Sequence, residues 1–292
     1  MLKVALATYS GNPQLCDDDR LLLPEFDRAG VCCTIAVWDD PTINWMTFDA
    51  VVLRSCWDYH LRPQSFIAWL KALDALDVVV FNAVSTLLGN VDKRYLRRIS
   101  ADDVVIPESY WITAGSQVSL EELIVGLGWN DVVIKPTVSA SAFETWRSSR
   151  TAAPTDEDRF RSLVDARDAV VQRFMPEIMQ AGELSLVFIA GDYSHAIVKR
   201  PRQGDFRVQE DFGGSRHSVT PPDAIAQAAE RIVQLHAPTA LYARVDGIVK
   251  GDKLVLMELE LIDPMLFFGY SADAPRRFVA AVQSFCLGSR GA

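Results

Sequence analysis

The sequence is short of the features that mark membrane, secreted and nucleic-acid-binding proteins. No apolar run approaches the length of a membrane span, and the first residues lack the apolar core and cleavage site of a secretory leader. Positive charge is also scarce, since 29 lysines and arginines face 38 aspartates and glutamates, for a net charge of -9. We therefore expect a cytoplasmic protein with no membrane partner and no broad basic face for nucleic acid.

Cysteine and histidine are few and are not spaced as metal ligands. The sequence has five cysteines without a Cys-x-x-Cys pair, and its four histidines show no ligand spacing. An odd number of cysteines in this arrangement predicts reduced thiols rather than a disulfide framework or a zinc site.

What is present is an ordinary globular composition with a change of pattern along the chain. The 292 residues, 49% of them hydrophobic, are enough for two or three domains. The alternation of strand-type and helical patterns gives way near Gly89 to a strand-rich stretch, where we place a domain boundary. Before it, strands at 3–9, 33–37, 48–54 and 78–81 with helices at 20–29 and 63–76 predict a parallel sheet covered by helices.

Beyond this boundary the pattern predicts a mixture of strands and helices. A helix over 84–100 would contain Asp92 and Lys93, and the polar, small-residue stretch 140–156 predicts a mobile hairpin or loop. Further helices are predicted at 121–127, 222–235 and 275–285, and strands at 104–106, 110–113, 131–135, 169–174, 184–190 and 194–199.

Two strands near the end of the chain carry three carboxylates. The segments 243–247 and 256–260 are predicted to pair through a turn at Gly251 and Asp252. Because side chains alternate along a strand, Glu258 and Glu260 share a face, and Asp246 on the partner strand can face them. Such oxygen ligands suit Mg²⁺ that accompanies substrate phosphates, which indicates a nucleotide-dependent enzyme. An acidic, solvated hairpin face is the alternative.

Other segments add features of a nucleotide site, each with an ordinary structural alternative. Lys135 ends a strand before a run of small residues that can hold phosphates through charge and backbone N–H groups, although Lys-Pro is often a plain strand exit. The segment 170–177 with Glu183 fits an adenine edge and a ribose, or an ordinary strand and turn. The basic residues between Lys199 and Arg207 form an anion-binding loop or a solvated one.

Taken in this order, residues 90–264 resemble the ATP-grasp superfamily. The resemblance implies an α/β fold of the grasp type: a parallel-sheet domain over 1–89, a central lobe with a covering loop over 90–190, and a C-terminal lobe with the metal site over 191–292. It also implies a homodimer by analogy. The sequence departs from the family pattern at two places. Glu260 stands where many members have Asn, and the covering loop lacks glycine.

The resemblance implies a role for each candidate residue. Lys93 and Lys135 match the two nucleotide lysines, and Ser139 and Ser141 fall in the covering loop. Gln172, Phe174 and Met175 match the hinge that holds adenine, and Met257 matches the apolar floor beneath it. Glu183 matches the ribose carboxylate, and Lys199 the basic position that reaches the nucleotide. The cofactors implied are ATP and two Mg²⁺ ions, with Mn²⁺ as a substitute. The catalytic candidates are Lys199, Arg207 and Arg244, and the metal ligands Asp246, Glu258 and Glu260.

The N-terminal region narrows the resemblance to the glutathione-synthetase-like branch that contains D-cycloserine synthetases. Segments 37–41, 52–60 and 204–210 carry this likeness. It implies that Arg54, Trp57, Tyr59 and Arg207 grip a small amino-acid-like substrate, whereas Trp57 and Tyr59 could instead pack the loop. The chemistry implied is carboxylate activation by ATP and nitrogen attack, in which O-ureido-D-serine closes to D-cycloserine with release of ADP and phosphate.

Three alternatives remain open from the sequence. An intermolecular ligase that joins an amino acid or peptide to an amine would use the same nucleotide residues. A kinase would leave the phosphate on its substrate. A non-catalytic nucleotide-binding protein is disfavoured, because Lys93, Lys135 and the three carboxylates are all present.

Overall fold

The computed structural model describes residues 1–209 and 212–289, which form three sheets and their covering helices. Glu210 of the segment 204–210 and the end of the expected third domain lie outside them. The strands are β1 Lys3–Thr8, β2 Cys32–Val37, β3 Ala50–Ser55, β4 Val80–Phe81, β5 Ser109–Ile112, β6 Asp131–Pro136, β7 Trp146–Ser149, β8 Ala169–Arg173, β9 Glu183–Ile189, β10 Asp192–Arg200, β11 Ser215–Val219, β12 Tyr242–Lys250 and β13 Lys253–Glu260.

The helices connect and cover these strands. No helix in the described part of the chain is long and apolar enough to span a membrane. The helices are α1 Asp17–Arg20, α2 Leu23–Arg28, α3 Pro63–Ala75, α4 Val84–Asn90, α5 Tyr95–Ile99, α6 Leu120–Leu127, α7 Ala153–Ala166, α8 Glu177–Gln180, α9 Asp223–His236 and α10 Ala274–Ser289.

The N-terminal sheet is parallel, as the sequence predicts. Its order is β2-β1-β3-β4, and β1 and β3 are buried on both faces, which explains their continuous apolar runs. The last helix returns to this sheet, because Phe278 and Val282 of α10 share a core with Val4 and Leu6 of β1. The end of the chain therefore packs on its beginning.

The central sheet is antiparallel, with the order β5-β8-β6-β7, and α6 and α7 cover it. The sequence predicts a mobile hairpin or loop over 140–156, and β7 within it does form a hairpin with β6, but the prediction misses α7, which begins at Ala153. Trp146 of β7 and Phe160 of α7 are 7% and 0% exposed and share one core. Helix α7 is not predicted from the sequence, because its charged residues outnumber its few buried apolar positions.

The large sheet has the order β11-β10-β9-β12-β13 and is antiparallel throughout. Helix α9 buries Ile225, Ala229, Ile232 and Val233 against it. The predicted hairpin of β12 and β13 is confirmed, with its turn at residues 251 and 252. Strand β11 is absent from the sequence prediction, and its pattern is mostly exposed.

The segment predicted as one helix over 84–100 is interrupted. Helix α4 ends at Asn90 and α5 begins at Tyr95, so Asp92 and Lys93 stand in the connection and not inside a helix. The Asn90 amide explains the break, since it donates to the Leu259 carbonyl at 2.9 Å and accepts from the Leu261 N–H at 3.0 Å. The side chain thereby ties the connection to β13.

The strand predicted at 104–106 and the domain boundary predicted at residue 190 are two further expectations that the structure bears on. Residues 104–106 are not a strand, although the Val105 carbonyl accepts a hydrogen bond from Leu256 at 2.8 Å. The expected boundary at residue 190 falls between β9 and β10, which pair in one sheet. The division into domains stays a prediction.

Candidate active site

A cavity of about 380 Å³ lies between the large sheet and the central sheet. Residues of the covering loop after β6 and of the loop after β3 also line it. Every candidate residue predicted from the sequence lines this cavity except Arg54. The fold therefore gathers residues from positions 57 to 260 around one space.

The register of the hairpin places the acidic residues as predicted. Asp246 of β12 lies opposite Glu258 of β13, and Arg244 lies opposite Glu260. Because positions two apart on a strand share a face, these four side chains point to the same side of the sheet. The register shifts between Asp246 and Gly247, so a bulge directly follows the first carboxylate.

Arg244 joins two of the carboxylates. Its Nε and Nη2 atoms donate to the two oxygens of Asp246 at 2.9 and 2.8 Å, and Nη2 also donates to Glu260 Oε1 at 2.6 Å. Burial disfavours the charged form of Arg244, but Asp246 and Glu260 more than offset this, so its pKa is raised. The guanidinium is therefore a fixed positive charge on the cavity wall.

Three lysines neutralise the remaining charge. Lys199 Nζ lies 2.6 Å from Glu183 and 3.2 Å from Asp246. Lys93 and Lys135 lie 3.3 and 3.4 Å from the same oxygen of Glu258, and Lys93 also donates to the Ser139 carbonyl at 2.8 Å. The carboxylates are thus stabilised by side chains of the protein.

Charge pairing and burial shift the pKa values of these groups in opposite directions. Burial alone would raise the pKa of Glu258, but Lys93 and Lys135 lower it to about 2. Burial, above all, lowers the pKa of Lys135 from its ordinary value. Burial raises the pKa of Glu260 to about 7, because Asp246 and Glu258 oppose the effect of Arg244.

The opposite part of the cavity is an apolar slot. Phe174 and Met175, just beyond β8, pack with Ile248 of β12, and Met257 and Phe206 lie against them. The ring of Phe206 meets that of Phe174 edge-on at 6.2 Å. A flat apolar ring fits such a slot, and Gln172 borders it, with its amide donating to Ser109 Oγ at 2.9 Å.

Comparison with known proteins agrees with this geometry. Residues 4–82 match the family described as D-cycloserine synthetase DcsG, N-terminal domain. The cycloserine biosynthesis protein DcsG of Streptomyces lavendulae is 27% identical over 291 residues, which cover 96% of this chain and 97% of that protein. The crystal structure of D-cycloserine synthetase DcsG superposes with a TM-score of 0.85 at 24% identity, over 97% of this chain and 99% of that one.

The chain has the ATP-grasp fold and resembles D-cycloserine synthetase. A wider likeness extends to D-alanine–D-alanine ligase from Bacillus anthracis, with a TM-score of 0.73 at 15% identity over 99% of this chain and 98% of that one. The same ligase complexed with ATP gives a TM-score of 0.70 at 14% identity, over 100% and 99% of the two chains. The predicted fold class is confirmed.

The structure places Arg54 away from the cavity, which does not support the expectation that it grips a substrate. Arg54 is 0% exposed and does not line the cavity. Its guanidinium donates to Asp19 at 2.9 Å and to the Pro264 carbonyl at 2.8 Å, and lies 5.1 Å from the ring centre of Tyr242. Arg54 therefore joins the N-terminal sheet to the segment after β13.

The loop residues beyond Arg54 do reach the cavity. Trp57 and Tyr59 line one end of it, together with Asp263, Met265 and Phe267. Asp263 was not among the sequence candidates, and the only signal for it is a third acidic residue soon after Glu258 and Glu260. Burial raises its pKa well above the ordinary value, and neighbouring Glu260 adds to the effect.

The covering loop of this ATP-grasp fold is shaped without glycine. Ser141, Ala142 and Glu144 have left-handed backbone angles, with φ of 50°, 57° and 47°. Phe143 within the loop packs on the ring of His60 at 5.0 Å, from the loop after β3. The loop lacks glycine, so Ser141, Ala142 and Glu144 adopt backbone angles that are strained for residues with a side chain, and the contact of Phe143 with His60 holds the loop in place.

Arg207 lines the cavity from the segment between β10 and β11. Its Nη2 and Nε atoms donate to Asp205 at 2.8 and 3.1 Å, and its guanidinium lies 3.6 Å from the ring centre of Phe212. These contacts fix Arg207 on its own loop, so it stands apart from the network around Arg244.

The carboxylates have the donor chemistry of a magnesium site. Asp246, Glu258 and Glu260 offer only oxygen, which suits a hard cation. In the part of the chain that the structure describes, however, no three side chains of histidine, cysteine, aspartate or glutamate are gathered to hold a metal. In this arrangement Lys93 and Lys135 are paired with Glu258, and Arg244 with Glu260.

Proposed function

We propose that this protein is an ATP-dependent ligase that activates a carboxylate and closes an amide-type bond, with O-ureido-D-serine as substrate and D-cycloserine as product. The observation that carries the proposal is that one cavity combines an apolar slot, three lysines, and the face formed by Arg244, Asp246, Glu258 and Glu260. The likeness to a cycloserine biosynthesis protein along 96% of the chain supports the substrate.

The two parts of the cavity suit the two parts of ATP. The apolar slot of Phe174, Met175 and Met257 takes the adenine ring, and Glu183 accepts from the ribose hydroxyl groups. Lys93 and Lys135 hold the phosphates, because both ammonium groups already face the cavity beside Glu258. Ser139 and Ser141 belong to the loop that covers these phosphates.

The reaction balances in three steps. A carboxylate oxygen of the substrate attacks the γ-phosphorus of ATP, which gives an acyl phosphate and ADP. The N–H nitrogen bonded to the side-chain oxygen then attacks the acyl carbon and loses its proton, and the phosphate leaves. In the third step one water molecule hydrolyses the N-carbamoyl group to carbon dioxide and ammonia, which leaves D-cycloserine. Phosphoryl transfer depends mainly on positioning and charge neutralisation, which the lysines supply. Arg244 stabilises the oxyanion that forms at the carbonyl.

Asp246, Glu258 and Glu260 are the residues proposed to hold Mg²⁺. When bound, the metal neutralises charge on the β- and γ-phosphates. Phosphates that attract Lys93 and Lys135 would free oxygens of Glu258 for this role. The covering loop excludes water, which would otherwise hydrolyse the acyl phosphate.

The test measures phosphate release from ATP and Mg²⁺ with O-ureido-D-serine, with the product identified by mass. We expect phosphate and D-cycloserine in equal amounts, and both formed far more slowly by a Lys135→Ala variant prepared in parallel. Phosphate release only with pairs of amino acids or peptides would assign the protein to the intermolecular ligases. A product that retains phosphate would identify a kinase.

A further inference from the structure

The carboxyl groups of the cavity wall differ in whether they have a partner. Among the described lining residues, Glu183, Asp246, Glu258 and Glu260 each form an ion pair with a lysine or arginine within 4 Å. Asp263 forms none, and its Oδ2 atom is buried without a hydrogen-bond partner. One carboxyl group in the cavity is therefore unsatisfied.

This unsatisfied group is held in place. Asp263 is 7% exposed, and its main-chain carbonyl accepts a hydrogen bond from Trp57 Nε1 at 3.3 Å. The next carbonyl, that of Pro264, accepts from Arg54 at 2.8 Å. The backbone is tied on both sides, so the side chain has little freedom to swing into bulk water.

The surroundings do not neutralise Asp263. Burial raises the pKa of Asp263, and Arg54 is the positive charge that acts to lower it, but the Arg54 guanidinium is committed to Asp19 and to the Pro264 carbonyl. Glu260, Asp19 and Asp58 add negative charge nearby. A buried polar group without a partner costs about 1–3 kcal/mol, and a charged one costs more, so a ligand that supplies the missing partner is favoured at this place.

We propose that Asp263 binds the protonated α-amino group of the substrate and so selects amino acids over other carboxylic acids. This inference rests on the proposed function, because it assigns one end of the same substrate. An amino acid at neutral pH carries both charges. Its carboxylate is drawn to the guanidinium of Arg244, and its ammonium group fits the unpaired carboxyl group beside Trp57 and Tyr59.

The experiment compares two substrates in two proteins. O-ureido-D-serine and its analogue without the α-amino group, 3-(ureidooxy)propanoate, are given to the unsubstituted protein and to Asp263→Asn. The substitution keeps the shape of the side chain and removes its ability to ionise beside an ammonium group. We expect kcat/KM for O-ureido-D-serine to fall roughly 10- to 100-fold and that for the analogue to change less than about threefold. The KM for ATP should stay constant.

Asp18→Asn is the matched control. Asp18 also has a buried Oδ2 atom without a partner, while its other oxygen accepts from Gly269 at 3.0 Å, and it does not line the cavity. Its loss should leave both substrates unaffected. Equal losses on both substrates in Asp263→Asn would overturn the inference, because they indicate a structural role.

Stability gives a second, independent readout. An amide in place of an unpaired buried carboxyl group should leave the free energy of unfolding unchanged or raise it. A lower stability of Asp263→Asn would mean that the carboxyl group has a structural partner, and would also overturn the inference.

Failure of the proposed function is distinguishable from failure of this inference. If the unsubstituted protein releases no phosphate with O-ureido-D-serine, calorimetry with D-serine and 3-hydroxypropanoate, beside a non-hydrolysable ATP analogue, tests Asp263 alone. Tighter binding of D-serine that disappears in Asp263→Asn supports the ammonium site. No preference for D-serine in the unsubstituted protein overturns it.

Discussion

At the level of single residues, the paired carboxylates, lysines and arginine of the cavity wall neutralise one another. Glu258 is paired with both Lys93 and Lys135, so loss of either lysine leaves the carboxylate with a partner. Substitutions at these lysines can therefore separate function from folding, which is rarely the case for buried charges.

We predict that Lys135→Ala lowers turnover roughly 100- to 1,000-fold while the protein stays folded. The physical reason is the loss of one fixed cation from the phosphates, with Glu258 still neutralised by Lys93. Steady-state kinetics and circular dichroism measure the two effects. Lys253→Ala, at the exposed start of β13, is the control and should keep full activity. Normal turnover of Lys135→Ala would refute its assignment to the phosphates.

We predict that Arg54→Ala lowers the free energy of unfolding by about 3–5 kcal/mol, because it leaves buried Asp19 without its cation. Urea denaturation measures the change. Arg20→Ala removes a comparable pair on the surface, with Asp17, and should cost less than about 1 kcal/mol. Unchanged stability with a raised KM for the amino-acid substrate would instead restore the substrate role first expected of Arg54.

Some of these residue roles can be read from the sequence, and others cannot. The shared face of Asp246, Glu258 and Glu260 follows from strand alternation alone. The burial of Arg54 depends on partners 35 and 210 positions away, which no local pattern reveals. The lack of a partner for Asp263 cannot be predicted from the local sequence either, because it depends on where the lysines and arginines of other segments lie in the fold.

At the level of elements, the β12–β13 hairpin positions the acidic face. The bulge after Asp246 places Gly247 against the partner strand, where an added Cβ atom would lie 2.5 Å from Leu254 Cδ1 and 2.9 Å from the Val255 carbonyl oxygen. The hairpin was predictable because its strands are apolar, alternating and joined by a short turn. Helix α7 was not, because its buried positions are few.

We predict that Gly247→Ala destabilises the protein by about 1–3 kcal/mol and lowers kcat, because the strands must separate beside Asp246. Denaturation and kinetics on the same preparation measure both effects. Gly126→Ala makes the same change in helix α6, where nothing lies within 4 Å of the new Cβ atom, and should be neutral or stabilise by up to about 1 kcal/mol. A Gly247→Ala protein with normal stability and kcat would mean that the bulge does not position Asp246.

At the scale of the whole molecule, residues of two sheets and of the loops after β3 and β6 surround one cavity. A ligand in this space bridges parts of the chain that are distant in sequence. Fold class and the order of candidate residues were predictable, because they follow from patterns along the chain. The pairing of Glu183, Asp246, Glu258 and Glu260 with lysines and arginines of the protein was not, since it depends on how the sheets meet.

We predict that a non-hydrolysable ATP analogue with Mg²⁺ raises the melting temperature, since ligand at about 100 times Kd adds about 2.7 kcal/mol to stability. The rise should be smaller with EDTA, because the phosphates then lack their counter-ion, and smaller still in Lys135→Ala. Thermal unfolding measures all three. An identical rise with and without Mg²⁺ would contradict the metal assignment of Asp246, Glu258 and Glu260.

The most direct test of the account follows one oxygen atom. O-ureido-D-serine labelled with ¹⁸O in its carboxylate is converted with ATP, and the released phosphate is analysed by mass. Activation of the carboxylate predicts one ¹⁸O atom in each phosphate released, because the attacking oxygen stays on phosphorus when nitrogen displaces it. D-Cycloserine formed with unlabelled phosphate would contradict an acyl phosphate and, with it, the proposed chemistry of this cavity.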